Sequence, residues 1–248
     1  MILRQSPLFS NIQTGEAVYD DVDRATYKGI TVKTCILLLV SVIIAAFIAF
    51  ALPTILTNNP TTFYVTLGIS SIVGFIAVMV GRLSERRAKY ASMIYAVCEG
   101  LFLGSLSAIV ESYVPGVVAT AVFSTIVLFT VMLTLFATGI MRVGSKFRSI
   151  CFGLTLGALA IIPLMFIFSM VIPDYGTYLN VMIGVEVFLV FYGVITLAFN
   201  FAEANAVVSM GASKDAEWSV ALGLLVSIVY IYIEVLRLIA LIAAKSDN

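Results

Sequence analysis

The 248-residue chain contains no histidine. That absence removes imidazole metal sites, histidine general bases and imidazole pH sensing together. Serine–histidine and zinc–histidine intramembrane proteolysis go with it. Charge is also scarce. Charged residues make up 11% of the chain, against roughly 25% in soluble domains, and mean hydropathy is +1.11. Lysines and arginines equal aspartates and glutamates at 14 each, so net charge calls for no polyanionic partner, and no nucleic-acid motif is present. The three cysteines, Cys35, Cys98 and Cys151, are odd in number and far apart, which argues against a disulfide framework or a metal pair. They read as small hydrophobes in helix packing. The first 30 residues lack an apolar core with a cleavage site, so no signal peptide is expected. Asp20, Asp21 and Asp23 lack the spacing and glycine of a calcium loop.

Seven long apolar blocks dominate what is there: Thr34–Leu56, Phe63–Val80, Ala91–Val110, Val117–Met141, Ile150–Ile172, Tyr178–Phe201 and Ser219–Ala244. Each is about the length that crosses a bilayer as a helix. The expected organisation is a polar cytosolic tail over residues 1–33 and a seven-helix, all-α membrane domain over residues 34–248. Basic residues alternate between connections. The tail carries Arg4, Arg24, Lys28 and Lys33, the second connection Arg82, Arg86, Arg87 and Lys89, the fourth Arg142, Lys146 and Arg148, and the sixth Lys214. The first, third and fifth have none. This places the N-terminus in the cytoplasm and the C-terminus outside, in a cell membrane. Gly100 with Gly104, and Gly153 with Gly157, form two GxxxG pairs expected to bring helices of one chain together.

Acids inside the blocks are the functional signal. A charge near the bilayer centre costs about 2.5–3.5 kcal/mol on insertion scales, so such groups normally carry a use. Glu99 lies in the third block, Glu186 in the sixth, and Glu234 with Arg237 in the seventh. At about 100° per residue Gly223, Ser227, Tyr230, Glu234 and Arg237 share one face of the last helix. Ser92, Tyr95 and Glu99 align in the third helix. Glu186, Gly193 and Asn200 align in the sixth, with Glu203 just beyond. By depth, Arg237 and Glu186 are partners, while Glu234 competes for the same guanidinium. One arginine cannot neutralise three glutamates, so at least one acid is protonated or meets water or a cation. A static ion pair with neutral acids is the plain alternative; a cation or proton site is the sharper one. No lysine lies inside a block to carry a retinal Schiff base, and no membrane aspartate pair exists for an aspartyl protease. The chain reads as a non-enzyme, with no cofactor beyond a permeant ion.

Four stretches carry a family resemblance: ATYKGITVKTCILLL, YAVCEGLFLGSLSAIVES, TGIMRVGSKF and EWSVALGLLVSIVYIYIEVLRLI. Together they resemble the Bax inhibitor-1 (transmembrane Bax inhibitor motif) family, in its bacterial branch, over nearly the whole chain from Arg24. The resemblance implies a seven-helix bundle with the last helix central, and a pH-sensitive calcium leak gated by two aspartates that share a proton. Glu234 matches the helix-seven acid. The related branch reads Leu-Asp-Phe-Asp in helix six, where this chain has Leu197, Ala198, Phe199 and Asn200. Asn200 can hydrogen-bond to Glu234 but cannot titrate, which shifts the gating role toward Glu203 or Glu99, or removes it. The family also includes regulators of membrane proteases and cell death. A non-conducting protein that docks a partner through its tail or the loop Ala202–Trp218 is therefore the second reading.

Overall fold

The computed structural model describes residues 24–58, 60–137, 145–171 and 174–246. Seven helices account for nearly all of them: α1 Tyr27–Asn58, α2 Pro60–Leu83, α3 Glu85–Tyr113, α4 Val117–Ala137, α5 Ser145–Val171, α6 Tyr175–Ser209 and α7 Ala216–Ser246. Helices satisfy their own backbone groups, the condition for crossing hydrocarbon. Six are long and apolar enough to span a membrane; α5 contributes a shorter described apolar segment, Gly153–Met165. Large apolar side chains such as Ile43, Phe47, Phe75 and Phe123 point away from the bundle, as lipid-facing residues do.

The last helix is central. It touches α1, α2, α3, α4 and α6, whereas α5 packs against α6 alone among the described residues. Consequently α7 is buried nearly all round at its first turns, where Val220, Ala221, Leu222, Leu224 and Leu225 are each at most 4% exposed. Leu197, Ala198 and Phe201 of α6 join Val220, Leu224 and Ile231 in one core, and Leu37, Ala96 and Tyr95 join Leu222 and Leu225 in another.

The two glycine pairs part company. A Cβ at Gly100 would lie 2.7 Å from the Ser41 carbonyl oxygen, and one at Gly104 would lie 2.4 Å from that of Ala45. These glycines let the backbones of α1 and α3 meet, and Ser41 Oγ donates across the same contact to the Ala96 carbonyl at 3.0 Å. Gly153 and Gly157 have nothing within 4 Å of that position among the described residues, so the expected intramolecular role is not seen for them there. Cys35 is exposed rather than packed.

Two boundaries also move. Helix α1 begins at Tyr27, inside the expected tail, and α6 runs on to Ser209 through the first half of the expected loop Ala202–Trp218, whose last three residues open α7. A Schellman closure stops α6: Gly211 has φ +64°, and the Gly211 and Ala212 N–H groups donate to the carbonyls of Val208 and Val207 at 3.1 Å each. The remaining turn is tied down. Ala25 N–H donates to the Ala212 carbonyl at 2.8 Å, and Arg24 and Ser213 form a β-bridge. The docking loop expected from the sequence is therefore a short, clamped turn.

Candidate functional site: the α6–α7 interface

Helices α6 and α7 run antiparallel, and three α6 positions spaced seven apart meet α7 in order. Asn200 comes first, nearest the connection. Its side-chain amide donates to the Gly223 carbonyl at 3.1 Å and to Ser227 Oγ at 2.6 Å. Gly193 follows, and a Cβ there would sit 2.9 Å from both Ile231 and Tyr230, so glycine is what lets α7 come this close. Glu186 is last, at the end far from the connection, facing Glu234 and Arg237. The α7 polar stripe and the α6 stripe read from the sequence thus face one another.

The far end is the unusual one. Glu186 is fully buried, and Arg237 Nη2 lies 2.8 Å from its Oε1. Despite that short distance, neither Glu186 oxygen has an aligned hydrogen bond. Arg237 Nη1 donates to Glu234 Oε2 at 3.4 Å. The Glu234 carboxyl also lies within hydrogen-bonding reach of Glu186, and the Tyr230 hydroxyl within reach of Glu234. Arg237 itself is 45% exposed, so the cluster has a buried floor and an open lid. Two carboxyls in contact beside one guanidinium carry a net charge of −1 when both are ionised. One proton between them makes the cluster neutral, and that proton is also what a carboxyl–carboxylate hydrogen bond needs.

The connection end is different. Arg82, at the end of α2, donates to Glu203 Oε2 at 2.8 Å and to the Ser219 carbonyl at 3.2 Å. Asn200 does not reach Glu234. Its partners lie near Ser227, seven residues and about 10 Å up the helix at 1.5 Å per residue. The expected Asn200–Glu234 hydrogen bond is therefore corrected: Glu234 is answered by Glu186, and Asn200 by Ser227 and Gly223. Glu99 stands apart on α3 with the Tyr95 hydroxyl of the preceding turn, and no hydrogen bond or ion pair joins it to Glu186 or Glu234.

Two arrangements escaped the sequence reading. Arg82 served there only to orient the chain, although its place at the end of an apolar block put it at the depth of Glu203. The second is a clamp between α1 and α7. Glu217, 1% exposed, accepts from Thr26 N–H at 2.7 Å, Thr26 Oγ1 at 3.1 Å and Lys33 Nζ at 2.7 Å. Gly29 makes room, since a Cβ there would fall 2.2 Å from the Glu217 oxygens. Lys33 also lies 5.0 Å over the Trp218 ring and donates to the Lys214 carbonyl at 3.0 Å. The signal was the pair of stretches TYKGITVK and EWSV, which meet here in space.

A helical membrane bundle wound around its last helix, with an acid–arginine cluster on that helix, defines the class. The particular family follows from comparison: a model of the Bax inhibitor 1-like family matches residues 6–244, and the chain belongs to that family. No curated protein and no solved structure gives a match.

Proposed function

We propose that the protein is a pH-sensitive cation leak, with calcium the leading permeant ion, controlled by the Glu186–Glu234–Arg237 cluster. It lies in a cell membrane with the N-terminus in the cytoplasm and the C-terminus outside, and it is no enzyme. The observation that carries the reading is Glu186: a fully buried carboxyl without an aligned hydrogen bond, in reach of a second carboxyl and sharing Arg237 with it. With one proton the cluster is neutral and closed on itself. When that proton leaves, the two carboxylates repel and the surplus charge attracts a cation. A unit charge at 4 Å is worth about 4 kcal/mol at an effective dielectric of 20. Oxygen ligands suit a hard ion such as calcium. Flux should therefore rise with pH.

Liposomes containing a calcium dye test the reading across several pH values. The wild-type chain should leak more as pH rises, and Glu186→Gln and Glu234→Gln should each flatten that dependence. No flux above empty liposomes at any pH would sink the leak. Flux with unchanged pH dependence in both variants would remove the cluster as its control.

A further inference from the structure

Helices α1 and α4 both pack on α7 but do not touch each other among the described residues, and an apolar cleft runs between them. Its walls are Val42 and Ala46 of α1 and Val122 and Ile126 of α4, and its floor includes Leu103 of α3 and Val229 of α7. The cavity measures about 410 Å³ and continues past Ala49, Ser107 and Val118 into a wider mouth bordered by Glu111 and Ser112. From Leu38 to Ala49 it covers roughly 16 Å at 1.5 Å per residue, close to the ~15 Å of hydrocarbon in one leaflet. That volume over that length, with a water radius of about 1.4 Å added at each wall, leaves a channel roughly 8–9 Å wide, still narrower than a helix of 10–12 Å. Polar groups gather at one end: Ser107 and Tyr232 share a hydrogen bond of 2.7 Å, and Glu111 lies above them.

We propose that this cleft holds one acyl chain of an amine-headed, zwitterionic phospholipid, with its ammonium group beside Glu111. Hydrocarbon is the medium around the bundle, and a slot lined by alkyl side chains offers water no partners. Charge selects the headgroup. No lysine or arginine occurs between Lys33 and Arg82 or between Lys89 and Arg142, so both walls and the mouth lack a cation for an anionic lipid. Glu111 accepts from the Gly116 and Val118 N–H groups at 2.7 and 3.0 Å, which fixes its carboxylate at the mouth with lone pairs to spare.

The test is native mass spectrometry of the full chain, extracted after equilibration with equal phosphatidylethanolamine and phosphatidylglycerol. The wild type should retain one phosphatidylethanolamine per chain, with about tenfold preference over phosphatidylglycerol. Ala46→Trp and Val122→Trp fill the slot from opposite walls, so at least one folded variant should lose the bound lipid. Leu159→Trp, on the exposed face of α5, should keep it. Glu111→Gln removes the carboxylate charge while keeping an oxygen for one of the two N–H groups, and should bring the two lipids to parity in the folded variant. Retention unchanged in both tryptophan variants, equal retention of the two lipids by the wild type, or a dimer in place of bound lipid would each overturn the proposal.

Discussion

The clamp between α1 and α7 allows a stability prediction with its magnitude worked through. Glu217 is buried, its side chain 2% exposed, while the Lys33 side chain is 14% exposed. Breaking a buried ion pair from one side costs about 3–5 kcal/mol because a charge is left without its partner. Lys33→Met should fall near the lower end, about 3 kcal/mol, since both Thr26 donors still face the carboxylate. Glu217→Gln keeps an acceptor for Thr26 but turns an amide toward the ammonium. It should cost about 2 kcal/mol, the worth of a charge-assisted hydrogen bond. The double variant leaves neither charge stranded, so its cost should fall short of the sum by about 2 kcal/mol, within the range for residues in contact. Reversible unfolding of the four proteins in mixed detergent micelles measures the cycle. Lys33 also loses its contacts with Trp218 and the Lys214 carbonyl in both backgrounds, so those cancel. A coupling below about 0.5 kcal/mol, the limit for independent sites, would refute the pair as what holds α7 to α1.

Other outcomes follow from the same geometry. Arg237→Gln leaves two acids without their cation, and should destabilise by about 1–2 kcal/mol in the same assay, less than a fully buried pair because Arg237 is 45% exposed. Gly104→Ala drives a methyl into the Ala45 backbone and should cost about 2 kcal/mol as overpacking, whereas Gly153→Ala meets open space and should be neutral or slightly stabilising in parallel unfolding runs. Asp174 caps α6 by accepting from Thr177 N–H at 2.7 Å, and the Thr177 hydrogen bonds hold its carboxyl below the ordinary range. That contribution is present above the unfolded carboxylate value and disappears as pH falls through the lower folded one. Amide exchange in the first turn of α6 should therefore accelerate in acid for the wild type and show no such step in Asp174→Asn.

Hydropathy alone made the helices legible, because hydrocarbon leaves a spanning chain little other choice. The central place of α7 came from family resemblance, not from the pattern: Val220, Leu222 and Leu225 look no different in sequence from residues facing lipid. Helical periodicity placed Glu186, Gly193 and Asn200 on one face and Glu234 with Arg237 on another. The register between those faces was not legible, since it depends on how closely Gly193 lets α7 approach. That register is what separates Asn200 from Glu234. Helix ends were misjudged where polar residues continued a helix, as in Ala202–Ser209, because Gly211 and not polarity stops it.

The charges on and around the central helix can be followed from one end to the other. At its start Glu217 is matched by Lys33. Just beyond it, Glu203 is matched by Arg82, whose guanidinium also meets the Ser219 carbonyl. Both sets balance without a proton. At the far end two carboxyls, Glu186 and Glu234, share Arg237, so two acids there face one cation. An aspartate at position 200 would have added a surplus acid beside an arginine already committed to Glu203. Asparagine keeps that end neutral and supplies instead the two hydrogen bonds that seat α6 on Gly223 and Ser227. Asparagine at position 200 thus leaves the surplus acid of the α6–α7 interface at its far end, where Glu186 and Glu234 meet Arg237.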